Sequence, residues 1–247
     1  MRITKFTRHW MLASGVAGFL TFAAASQAAA GGDAPLDLAP KVTRPFSDIF
    51  TNDKTLDPRW TVSEPNAGSS HHLVKRGLEL TASPLNGGSD LWLYTNYDAS
   101  LLLQPISPTL NWTVTTRVAF QVTNSYMGAG LVLTTQTGGF DSSSVFHRFE
   151  YGDNPQPGIE GFINGTRDAD YAAFDGKLVY LQLQKSGTSY TYSYSTDGKT
   201  WTKVETVTDA AAYTYIGLIS VRQPYDDQLT VSAKPVFRYF RIAVTKN

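Results

Sequence analysis

Ten short runs rich in Val, Thr, Tyr, Phe and Leu succeed one another along this chain, at 78–82, 90–95, 113–122, 128–134, 145–151, 158–164, 178–185, 190–195, 215–221 and 236–244. Gly, Pro, Asn and Asp punctuate them, and that texture is the signature of many short strands. In 178–185, Val179, Leu181 and Leu183 fall on one face while Tyr180, Gln182 and Gln184 fall on the other. A period of two with one polar face implies antiparallel sheets buried on one side. Ten such strands predict an all-β, two-sheet antiparallel sandwich. No window between the runs holds a 3.6-residue apolar period; the only helix-like piece is a single turn at 209–213. The absence of an internal repeat weighs against a propeller.

The chain carries no cysteine, so its core alone must hold it together, without a disulfide framework or thiolate metal site. Arg2, Lys5 and Arg8 precede an apolar run of fifteen residues, 11–25, and then the small-residue stretch Ser26-Gln27-Ala28-Ala29-Ala30. That layout predicts a signal peptide over 1–30, and the apolar run is shorter than the roughly 20 residues a membrane-spanning helix needs. A secreted or periplasmic product without stable membrane insertion is expected. Residues 31–45, with Pro35, Pro40 and Pro45, read as a flexible leader, and 46–247 as one domain. The leading segment holds three of the 21 basic residues and none of the 21 acidic ones, which leaves 18 against 21, a net charge of −3. That balance argues against nucleic acid as a partner.

The strongest local signal is the stretch from Tyr192 to Trp201, where Asp197-Gly198 joins two aromatic runs as a hairpin turn does. Trp201 is expected to cover that hairpin. With this stretch, the chain resembles the concanavalin A-like lectin/glucanase superfamily, and within it the secreted modules at the C-terminus of bacterial beta-xylosidases. The resemblance runs from Phe46 to Val244. Its pieces are Phe46-Ser47-Asp48-Ile49-Phe50, Leu56-Asp57-Pro58-Arg59-Trp60, Gly77-Leu78-Glu79-Leu80-Thr81, Ser89-Asp90-Leu91-Trp92, Ala129-Gly130-Leu131-Val132-Leu133, the 195–201 hairpin, Ile216-Gly217-Leu218 and Phe237-Arg238-Tyr239-Phe240-Arg241-Ile242. It implies a jelly-roll sandwich and a carbohydrate-binding, lectin-like role on an extracellular or periplasmic glycan. A single copy of the hairpin motif, with one residue fewer between aspartate and glycine, sets the chain apart from the Asp-box of sialidases.

The candidate sites follow from residue chemistry. Glucanases of the superfamily use Glu-x-Asp-x-x-Glu on one strand, and that pattern does not occur here. Glu150 and Glu160, on neighbouring expected strands, are the weak candidates for a hydrolase pair, which would need its carboxyl groups about 5 to 5.5 Å apart. A polysaccharide lyase would want a base and a cation converging, whereas alternation separates His147 and Tyr151 from Arg148 and Glu150. Sugar rings have apolar faces rimmed by hydroxyls, so aromatic platforms beside polar groups bind them. If 90–95 is a regular strand, Asp90, Trp92 and Tyr94 share a face, with Arg148 and Glu150 as polar partners; these five are the expected carbohydrate-binding residues. The bland alternative places Trp92 and Tyr94 in the core. Tyr225-Asp226-Asp227 sits in an expected loop. A third function class, a protein-interaction or matrix component, uses the sheet face without sugar.

No cofactor is expected, and adjacent His71 and His72 point to opposite faces and make no metal site. The family resemblance implies a structural calcium near the chain ends, with Asp48 at its opening position. Arg238 stands where the closing strand has an aspartate, so no calcium is expected there and Arg238 is expected to pair with Asp48.

Overall fold

The computed structural model describes residues 44–51, 55–92, 96–122, 126–137, 143–150, 158–163, 166–223 and 231–245, excluding the side chains of 92, 148–150 and 166–171. The strands are β1 Thr61–Ser63, β2 Ser70–Val74, β3 Gly77–Thr81, β4 Leu91–Trp92, β5 Asn96–Tyr97, β6 Ser100–Pro105, β7 Asn111–Ala119 and β8 Met127–Thr134. They continue with β9 Ser143–Glu150, β10 Gly158–Ile163, β11 Thr166–Ala173, β12 Leu178–Ser186, β13 Ser189–Ser195, β14 Thr202–Thr208, β15 Tyr215–Arg222 and β16 Val236–Thr245. Sheet A has the order β14-β13-β12-β7-β16-β3-β2 and sheet B the order β1-β6-β15-β8-β9-β10-β11, while β4 and β5 form a ribbon. Every pairing within the two sheets is antiparallel, the concanavalin A-like jelly-roll sandwich.

Period-two sequence explains sheet A directly. In β7 the positions Trp112, Val114, Thr116 and Val118 are buried and their neighbours half-buried. The buried set meets Leu102, Leu131, Leu133, Phe146 and Ile216 of sheet B in one core between the sheets. The buried Tyr192 hydroxyl lies 2.8 Å from Ser144 Oγ across that core.

Sheet B departs from the expectation of one solvated face. Every residue of β8 is buried, because the sheet's outer side packs Leu101, Leu103, Val132, Val145, Ile219 and Val221 under Leu91 and Ala99. Leu91 of β4 and Ala99, just after β5, thus roof the middle of sheet B.

The opening and closing motifs meet in space. Asp48 and Phe240 exchange backbone bonds of 2.8 and 2.7 Å, and the Trp60 ring packs edge-on to both Phe46 and Phe240. Gln104 clamps Phe46 by accepting from its N–H at 2.7 Å and donating to its carbonyl at 2.9 Å.

Two local expectations are corrected. The helical turn at 209–213 does not form; Asp209 instead accepts from Ala211 N–H at 2.9 Å and from the Tyr213 hydroxyl, which ties an extended segment. The link between β13 and β14 is six residues, 196–201, rather than a two-residue Asp-Gly turn. Asp197 Oδ1 accepts from Lys199 N–H and Thr200 N–H at 2.8 Å and from Ser195 Oγ at 2.9 Å, so a side chain organises the longer loop. Gly198, at φ 72°, supplies the left-handed step, and Trp201 is half-buried.

Candidate functional site

Polar side chains converge on the outer side of sheet B, where the apolar cover of the sheet gives way. Ile159 of β10 points into the core between the sheets, so alternation turns Glu160 and Phe162 outward. On β9 the same rule sends Phe146 inward and His147 outward. The ladder sets Glu160 directly opposite His147. His147 Nε2 then lies 3.2 Å from Glu160 Oε1, with the His147 and Glu160 residues only 4% and 1% exposed.

The second polar element comes from Asp90, just ahead of β4, itself 4% exposed. Its Oδ1 accepts from Leu91 N–H at 2.8 Å and from Gln223 Nε2 at 3.3 Å. Burial pushes the Asp90 carboxyl above the ordinary carboxylate range, against the pull of those two donors and of His147. Phe162 stands edge-on to the His147 ring with centroids 5.7 Å apart. Asp90, His147, Gln223 and Phe162 line a cavity of about 20 Å³, room for one water rather than a sugar ring.

Beneath His147 lies Gly130 of β8, its ladder partner. A Cβ there would come within 2.1 Å of the Phe146 carbonyl oxygen and 2.6 Å of His147 Cα, so glycine alone lets β9 approach and seats the imidazole.

The expected site is brought together only in part. The strand awaited over 90–95 is observed at Leu91–Trp92, and residues 93–95, Tyr94 among them, lie outside the described residues, as does the Trp92 side chain. Arg148 and Glu150 take their places on β9, with side chains outside the description, and Tyr151 and residues 225–227 also lie beyond it. Asp90 is in the polar cluster as an interior group. Glu160 is buried and its described partner is His147. Sequence reading weighs His147 only as a lyase base and does not single out Gln223 or Gly130. The glycine inside an otherwise apolar strand and the parity of His147 with Val145 were the available signals.

His71 Nδ1 lies 2.9 Å from Glu64 Oε1 and His72 is exposed. Among the described residues, no group of three or more His, Cys, Asp or Glu side chains is arranged to hold a metal ion, and no helix is long and apolar enough to cross a membrane. The pairing expected between Asp48 and Arg238 gives way to other bonds. Asp48 accepts from Trp60 Nε1 at 2.9 Å and Phe50 N–H at 2.8 Å, while Arg238 Nη1 donates to the carbonyls of Lys75 and Arg76 at 3.2 and 2.6 Å. With both Asp48 oxygens engaged and a cation on those carbonyls, these residues do not fit a calcium ion.

Similarity to known proteins agrees with this architecture. The beta xylosidase C-terminal concanavalin A-like domain family matches residues 47–218. The fold is similar to that of the GH43 protein BlXynB from Bacillus licheniformis, at TM-score 0.60 and 17% identity, over 79% of this chain and 38% of that one. The xylan beta-1,4-xylosidase from Bacillus halodurans gives TM-score 0.58 and 19% identity over 81% of this chain and 39% of its own. Lectin I-B4 from Griffonia simplicifolia, metal-free form, gives TM-score 0.53 and 8% identity over 82% of this chain and 100% of the lectin. The chain thus spans about two-fifths of the length of these xylosidases, and at such identities the likeness is one of fold. No curated protein sequence matches it. The chain belongs to the family of beta xylosidase C-terminal concanavalin A-like domains.

Proposed function

We propose that this protein is an exported, non-catalytic carbohydrate-binding module that holds an extracellular or periplasmic glycan against the outer side of sheet B. One observation carries the reading: a buried polar layer of His147, Glu160, Asp90 and Gln223 lies beside Leu91 on the outer side of sheet B, and Trp92 follows Leu91 in β4. Gln223 donates to Asp90 and His147 pairs with Glu160, which ties this floor together, and a rigid platform loses less entropy when a sugar docks. Export rests on the basic, apolar and small-residue order of residues 1–30. The non-catalytic reading rests on the burial of Glu160. The xylosidase relatives make xylo-oligosaccharides the first ligands to try.

The test is binding of the protein to a broad glycan array, with Trp92→Ala and Tyr94→Ala beside the wild type. Specific binding that both variants lose is the expected result. Absence of binding to every glycan would transfer the reading to a protein-interaction or matrix role. Sugar release that disappears in Glu160→Gln would make the protein an enzyme.

A further inference from the structure

The outer side of sheet A holds a groove of about 540 Å³ whose walls include Lys75, Arg76, Arg117, Arg238, Phe50 and Thr51. Four of those six are cations, and no described residue lining the groove is acidic. The ion pairs of the described residues are Arg59 with Asp57, His71 with Glu64 and His147 with Glu160, so none of the four groove cations is neutralised by a described carboxylate. Packing like charges together is unfavourable in itself, and the fold goes out of its way to do it. Arg76 sits at φ 65° and Phe50 at φ 45°, backbone states that cost a residue with a side chain about 1 kcal/mol each. Arg238 lies where β16 shifts register between Phe237 and Phe240, and such bulges re-aim side chains.

The cations are also held in place. Arg238 is tied through Nη1 to the Lys75 and Arg76 carbonyls, and Arg117 lies 5.5 Å from the centre of the Tyr180 ring, its Nε buried without a hydrogen-bond partner. Next to them Arg241 stacks on Tyr239 at 4.4 Å. Planar guanidinium groups beside aromatic rings match an anionic group carried on a sugar: the fork takes the carboxylate or sulfate and the ring takes the apolar sugar face. The volume falls in the range of ligand sites.

We propose that this groove binds an acidic glycan through its carboxylate or sulfate groups, at a site separate from the outer side of sheet B and independent of the reading given for it. The experiment measures affinity of the purified protein for polygalacturonate, heparin and a single-stranded oligonucleotide at low and physiological ionic strength. The variants are Lys75→Gln with Arg76→Asn, Arg117→Gln, and Lys203→Gln on the far edge strand β14. Asparagine tolerates the left-handed backbone of position 76, so the double variant on its exposed turn keeps the fold even if Arg117→Gln loses it.

Binding to polygalacturonate or heparin is expected, weakening as salt rises from about 0.02 M to about 0.15 M. It should fall about tenfold or more in the double variant and in Arg117→Gln, and stay near wild type in Lys203→Gln. Polygalacturonate and heparin distinguish a carboxylate from a sulfate ligand. Failure of both to bind at low salt, wild-type affinity in the double variant, or tighter binding to the oligonucleotide than to either glycan would each overturn the proposal.

Discussion

Asp90 is a carboxyl group that folding places under the β4-β5 ribbon, where burial favours its neutral form. An acid whose pKa rises on folding costs the native state nothing below the unfolded carboxylate range, where it is protonated in both states. The penalty then grows as pH rises toward and through the higher folded pKa. Asp90→Asn keeps an acceptor for Leu91 N–H and Gln223 and removes the charge. It is therefore expected to raise Tm at pH 7 and to leave it unchanged near pH 3; a lower Tm at pH 7 would mean that the carboxylate, rather than its shape, is what the cluster requires. Gly130→Ala acts on the same cluster from below. Its new methyl meets backbone at 2.1 Å, so β9 must move and the expected loss is about 3 kcal/mol in denaturant unfolding, accompanied by a displaced His147 imidazole resonance. Of this cluster only Asp90 and Glu160 were chosen from sequence, and each for a solvent-facing role. Alternation assigns a residue to a face but does not say that the face is roofed, which decides whether a carboxyl meets sugar or protein.

The link between β13 and β14 depends on Asp197. Hydrogen bonds from Thr200 N–H, Lys199 N–H and Ser195 hold its carboxyl well below the ordinary carboxylate range. A lowered folded pKa contributes stability above the unfolded pKa and loses it as pH falls through the folded one. In Asp197→Ala, hydrogen exchange at Lys199 and Thr200 is expected to quicken at neutral pH, and the gap from wild type should close only in strong acid; unchanged exchange would assign the loop to Gly198 and Trp201 instead. Each of the ten runs expected from sequence contains an observed strand; the 113–122 run is strand only as far as Ala119, and the 90–95 run is strand at Leu91–Trp92, with 93–95 outside the described residues. The strands without a period-two signal were not legible. In β6, Leu101, Leu102 and Leu103 run continuously because both sides are covered, whereas β14 is a polar edge strand whose Lys203 and Glu205 need no apolar face. The roof over sheet B explains the first case and the sheet's end the second.

Across the whole molecule, charge is distributed in a way that its total conceals. A net charge near −3 after the leading segment argues against a polyanion partner. Yet the β2-β3 turn, β7 and β16, far apart in sequence, bring Lys75, Arg76, Arg117 and Arg238 into one groove, and only the fold reveals it. The two sheets bury one core between them and turn their candidate sites in opposite directions, since the polar cluster lies on the outer side of sheet B and the cationic groove on the outer side of sheet A. Stacked sheets lie about 10 Å apart, and each site stands beyond its own sheet, so no side chain is shared and the energies of the two sites should add. In a cross test, Trp92→Ala is expected to abolish array binding of neutral glycans while leaving polygalacturonate or heparin affinity unchanged, and Lys75→Gln with Arg76→Asn to do the reverse. The combined variant should lose both by the sum of the separate free-energy changes, within about 0.5 kcal/mol. A larger deviation would mean that the sandwich couples its faces, and the inter-sheet contact of Tyr192 with Ser144, three positions before His147 on β9, would be the first link to break by Tyr192→Phe.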